Sequence, residues 1–235
     1  MKFLDDDMGM RDADSGDEAG VNIIQLRNDL RQAEQEIIEL PAGYQPLQKA
    51  EIQNRIAGLL VDLDRKEEAY DVAREAFDVL VANKSWEAAA EACNIMFLAD
   101  QPYSLPALGQ GVWLAVTFPI DPELSVALLQ HIIDETPEDS DGAAVAAVTA
   151  HYVVDMRSRG KQHENLMLFT SHMLGTVARR HGDVTKQEQF DYWLEKMELN
   201  DPAKFLPRLR NVIDVLVQDD WWVDRDAIWA SIPDQ

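Results

Sequence analysis

The chain has one cysteine, Cys93, in 235 residues. That excludes an internal disulfide, a zinc-type cysteine spacing and a paired redox motif. In "WEAAAEACNIMF" the thiol is read as a small buried hydrophobe. Alternating β-branched runs bounded by tight-turn dipeptides are missing, so strands are not expected. No basic n-region and apolar h-region open the sequence at "MKFLDDDMGM", so no signal peptide is read there. The most apolar stretch, "LPALGQGVWLAVTF" (105–118), is too short to span a bilayer and is bounded by prolines. A buried helix is expected instead, in a soluble, cytoplasmic protein with no membrane partner. Basic residues are also scarce: 21 Lys and Arg stand against 43 Asp and Glu, a net charge of −22. Such a surface repels phosphate backbones and disfavours direct nucleic-acid binding. It favours solubility or a basic protein partner.

What is present reads almost entirely as helix. Residues 1–20 carry seven acids, two bases and three glycines. Too little apolar surface is available there to offset ordering entropy, so a disordered acidic tail is expected. Residues 21–235 are expected to form a single all-α domain of nine or ten helices. "VNIIQLRNDLRQAEQEIIEL" carries an apolar face and stops at "PAGYQP". Asp121-Pro122 and Asp201-Pro202 each combine an N-capping aspartate with proline at the first helical position. Asp64, Ser85, Ser104 and Asp141 are further expected caps, and Thr185 with Glu188 is read as a capping box. The caps from Asp64 to Asp141 recur at roughly twenty residues, the spacing of successive antiparallel helices of similar length. The expected architecture is therefore a stack of antiparallel helical hairpins. The alternative is an irregular globular helical bundle.

One stretch, about residues 50–83, resembles a tetratricopeptide repeat. In "NRIAGLLVDLDRKEEAYDVAREAF", Ala57 falls where that repeat takes a small residue in its first helix. Ala69 and Ala76 fall where it takes small residues in its second. Ala73 stands where a large residue is usual, and no proline closes the unit near Val81. A second-helix look recurs at "WEAAAEA" after 19 residues rather than 34. The resemblance implies a helical-hairpin architecture and a role in holding partners. It carries over no binding residues.

Catalytic signatures are not found. His131 with Glu135, and His151 with Asp155, stand four residues apart on helix faces. If the two helices brought these four groups together they would form a mixed nitrogen–oxygen metal site. A Glu-x-x-His pair, His-Glu-x-x-His and a phosphate-binding loop are all missing. "GQG" at 109–111 lacks a preceding strand and a third glycine, so it is read as a place where helices cross closely or kink. Tyr103, Trp113 and Phe118 are read as core ahead of pocket lining.

The expected function is non-catalytic: a protein–protein interaction or assembly factor of chaperone type, using an acidic helical-repeat surface. Its expected partner is another protein, a basic one being the class the charge favours. Sequestering a nucleic-acid-binding protein is one form this could take. No cofactor is expected, and the oligomeric state is open. The alternative is a metal-binding protein or enzyme using the middle-helix histidines and carboxylates. The carboxy-terminal stretch "QDDWWVDRDAIWASIPDQ" holds three of the six tryptophans. Trp229 is expected to cap the core. One of Trp221 or Trp222 is expected to be exposed as the partner anchor, since adjacent side chains point apart and tryptophan is enriched at binding hot spots.

Overall fold

A computed structural model of the chain describes the backbone of residues 11–232 and the side chains of residues 22–232. The first half of the expected acidic tail, residues 1–10, lies outside the described residues. Eleven helices follow in order: α1 (Arg11–Ile38), α2 (Pro46–Asp62), α3 (Lys66–Ala82), α4 (Trp86–Leu98), α5 (Ser104–Thr117) and α6 (Pro122–Glu135). They continue with α7 (Asp141–Arg157), α8 (Gly160–Gly182), α9 (Gln187–Lys196), α10 (Pro202–Val217) and the short α11 (Arg225–Ala230). No strand occurs among the described residues. The fold is all-α, a stack of helical hairpins in which each helix from α1 to α8 packs on the next. The even-numbered helices α2, α4, α6 and α8 also touch in succession. Among the described residues no helix is long and apolar enough to cross a membrane.

Small residues set the helix spacing. Ala57, Ala69, Ala73 and Ala76 are fully buried between α2, α3 and their neighbours. In α7, Ala143, Ala144, Ala146, Ala147 and Ala150 are fully buried too, so α7 is apolar nearly all round. A helix of that kind belongs inside a bundle. Cys93 is completely buried, as expected, and burial pushes its thiol pKa up.

Asp121 and Asp201 cap their helices where the sequence places them, and Asp224 caps α11 as well. Asp121 accepts from the Glu123 amide (2.7 Å), Asp201 from Ala203 (2.9 Å) and Asp224 from Ala227 (2.9 Å). Others are displaced. Asp64 ends α2 rather than starting α3: its φ is +58°, and the next amide, Arg65, donates back to the Leu60 carbonyl at 2.8 Å. Lys84 (φ +57°) and Glu198 (φ +54°) close α3 and α9 in the same way. There Ser85 donates to Leu80, and Leu199 to Leu194. This is the six-to-one bond of a Schellman turn, which satisfies a carbonyl no helical amide can reach. Ser85 precedes α4 but makes no side-chain cap. Ser104 lies inside α5 and donates to the Met96 carbonyl (2.8 Å). Ser140, not Asp141, caps α7. Gln189, not Glu188, accepts from the amides of Thr185 and Lys186 ahead of α9.

The scarce arginines have a shared structural use. Arg157 donates to the carbonyls of Ala115 (2.5 Å) and Val116 (3.1 Å) at the end of α5. Arg180 reaches Ile133 O at the end of α6 (2.8 Å), and Arg208 reaches Met197 O just past α9 (2.6 Å). Each brings a cation from one helix to the negative end of another.

The last long helix does not extend the stack. α10 lies across α5 and α7, burying Phe205, Leu209, Ile213 and Val217, which recur every four residues along one face. Gly109 of α5 makes this approach possible. A Cβ there would meet Val217 Cγ2 at 2.5 Å and Leu216 Cβ at 3.2 Å. Gly111, on another side of α5, leaves room for Cys93 of α4 and Leu128 of α6. The "GQG" stretch is thus a close crossing, as read. Gly109→Ala is expected to destabilise the protein by about 1–3 kcal/mol through overpacking, despite alanine's better helix propensity. Gly58→Ala, whose added Cβ would find only Ile95 Cδ1 at 3.8 Å, is expected to be neutral or stabilising. Urea unfolding of both variants checks the pair.

Candidate functional site

Beyond α10 the chain turns at Gln218 and runs back over α5 towards α3. Gln110, fully buried in α5, holds it there. Its Oε1 accepts from the Trp222 amide at 2.8 Å, and its Nε2 donates weakly to the Asp220 carbonyl at 3.5 Å. Trp222 then meets the edge of Phe77 of α3 (5.6 Å between ring centroids), with the Arg74 guanidinium 4.5 Å over its face. Trp221 packs edge-on against Trp113 (6.1 Å) and carries Arg225 3.8 Å over its ring. Arg225 in turn pairs with Asp214 of α10 at 2.9 Å. Trp113 and Phe118 belong to the core beneath, where Phe118 stacks on Trp86 at 4.2 Å, while Tyr103 is exposed.

The burial of the tryptophans differs from the pattern expected. Trp221 and Trp222 are both half-buried and tie the end of the chain to the stack. Trp229, expected as a core cap, is 56% exposed on α11. Adjacency does make Trp221 and Trp222 point apart, but each finds its own aromatic partner, on α5 and α3 respectively. Only Ile228 of α11 packs partly against the core. Around Trp229 in sequence, Asp219, Asp220, Asp224 and Asp226 are exposed, and the one base, Arg225, is already engaged.

The four residues considered for a metal are not brought together. His131 Nε2 hydrogen-bonds Asn94 Oδ1 of α4 (3.0 Å) with its ring against Phe97 (4.5 Å). His151 turns to α8 and meets Thr170 Oγ1 at 3.0 Å. Glu135 and Asp155 are exposed. Among the described residues no three His, Cys, Asp or Glu side chains gather as metal ligands. His181 has a structural place: its Nδ1 accepts from Trp193 Nε1 (3.1 Å) and its Nε2 meets Asp141 Oδ1 (3.0 Å). Asp141 also receives Arg208 at 3.2 Å, so one carboxylate links α7, α8 and α10.

Burial holds the pKa of His131 and of His151 below the ordinary histidine value, with Asp134 and Asp155 respectively pulling the other way. Both rings are therefore neutral in the fold at neutral pH.

No family model matches the chain, and no curated protein and no solved structure matches it.

Two measurements test this description. Gln110→Ala leaves the half-buried Trp222 amide without its acceptor and is expected to cost about 1–3 kcal/mol, with a red shift of tryptophan emission. Stability should also fall on acidification from about pH 7.5 to about pH 5.5. An unfolded histidine, with a pKa near ~6.5, takes up its proton in that window while the folded His131 and His151 resist. Denaturant midpoints across the window should show a shallower dependence in His131→Gln.

Proposed function

We propose that this protein is a non-catalytic interaction or assembly factor, a tetratricopeptide-like or related α-α array that holds another protein. The observation that carries this reading is Trp229. A large indole stands 56% exposed on a six-residue helix that nothing in the fold requires to carry it. Four exposed aspartates lie within ten residues of it. Tryptophan supplies large contact area at low entropic cost and is enriched among residues that dominate binding energy. The aspartates, and the net charge of −22, favour a partner with a basic surface and speed its approach. Trp229 thus takes the role that the sequence alone assigns to Trp221 or Trp222, which serve to fix the segment that presents it.

The face formed by α5 and α7, extended to α3 by Trp222, is already filled by α10 and the segment after it. A partner therefore meets the rim of the filled face rather than an open groove.

Affinity capture from the native cell, at low and high salt, tests the proposal. A protein partner is expected at low salt and is expected to be lost as salt is raised. Trp229→Ala is expected to weaken its retention by about tenfold or more, which corresponds to about 1.4 kcal/mol, without changing the unfolding midpoint. Equal retention of the same partner by wild type and Trp229→Ala would sink the proposal.

A further inference from the structure

The acidity of the chain gives way around α8. A hollow of about 430 Å³ lies between α8, the turn before α9, and His151 of α7. No carboxylate is among the residues that line it, although acids outnumber bases two to one in the chain. Its polar lining is His151, Ser171, Arg179, Thr185 and Lys186, together with the Gln187 side of α9. Its apolar lining is Leu174, Val184 and Phe190. Arg179 donates to Thr176 Oγ1 at 2.9 Å, a neutral partner, and is exposed. Lys186 is exposed as well.

His151 adds a directed acceptor. The Thr170 hydroxyl donates to the Leu166 carbonyl at 2.8 Å, so its oxygen is left to accept from His151 Nδ1–H at 3.0 Å. That bond selects the tautomer whose Nε2 carries a lone pair. Asp155 on its own helix and His163 on α8 act on this ring, and Arg179 and Lys186 line the same hollow.

We propose that this hollow binds a small organic anion with a short apolar body. The anionic head, a carboxylate or a phosphate ester, lies between Arg179 and Lys186. The body rests on Leu174, Val184 and Phe190. His151 Nε2 accepts a proton as the anion binds, because a bound negative charge favours the imidazolium. Binding is therefore tighter at lower pH across the histidine range. The volume suits a ligand of modest size, and the mixed lining matches sites in which an apolar wall sets affinity while a few polar groups orient the ligand. The proposal uses no part of the Trp229 surface and stands or falls separately from it.

Amide NMR of the full chain tests it, with hexanoate and hexyl phosphate as probes and hexanol and hexylamine as neutral and cationic controls. Saturable shifts of the Gly175, Val184 and Gln187 amides are expected with the anions at about 1 mM, and none with the controls. The double variant Arg179→Glu/Lys186→Glu should weaken binding by about tenfold or more. Gly175→Leu, which keeps every charge but fills the hollow from mid-α8, should also abolish it. His151→Asn should remove the gain in affinity between about pH 7.5 and about pH 6. Absence of saturable shifts with both anions at about 10 mM, equal shifts with hexanol, or undiminished binding to Gly175→Leu would each overturn the proposal.

Discussion

The whole arrangement depends on how closely α10 approaches α5. At Gly109 the α5 backbone is in direct contact with the Val217 and Leu216 side chains, and no other residue type leaves that space. Once the two helices are this close, α10 can cover α7 as well. There Gly142 admits Val212, with the Val212 Cγ2 atom 3.3 Å from where a Cβ would stand. The chain that leaves α10 is then positioned for Gln110 to take the Trp222 amide. A stack of hairpins, whose units otherwise meet only their neighbours, is in this way closed by a helix from the far end of the sequence. The same contact decides which tryptophans are structural and which one is left in water.

The charge distribution follows a comparable economy. Exposed ion pairs contribute little to stability, and those here, such as Arg74 with Asp78 and Lys49 with Glu75, are on the surface. The arginines with structural weight are the ones that reach helix carbonyl ends, Arg157, Arg180 and Arg208. Burial of Arg157 lowers its pKa, yet it stays charged at any physiological pH because guanidinium begins so high. Bases are thinly spread among carboxylates along most of the chain, but near α8 Arg159, Lys161, Arg179, Arg180 and Lys186 stand with only Glu164 and Asp183 in the same stretch.

Helix identity and several helix starts were legible because they depend on local chemistry. An aspartate followed by proline binds an amide two residues on, whatever surrounds it, and Asp121 and Asp201 do so. Asp64 and Asp141 were misplaced by a short distance because a neighbouring constraint wins. The Leu60 carbonyl needs the left-handed turn at Asp64, and Ser140 is one residue better placed than Asp141. The burial of the three carboxy-terminal tryptophans was hard to read for a different reason. Nothing near Trp221 and Trp222 in sequence reveals that Trp113 and Phe77 will stand beside them. Gln110 was equally opaque, since its partner is a backbone amide 112 residues away. The candidate anion hollow was not visible either. It joins residues of α7, α8 and α9 that carry no motif, and the only available signal was the local scarcity of acids around α8.

The order of synthesis gives this closure a further meaning. Helices α1 to α8 can pair as they leave the ribosome, because each meets a neighbour made just before it. The seam between α5 and α7 has no such neighbour. Its apolar surface stays open while roughly sixty further residues are added, at a pace of about 5–20 residues per second. For several seconds the nascent protein displays a sticky groove that the finished one lacks, and α10 is the segment that ends this exposure.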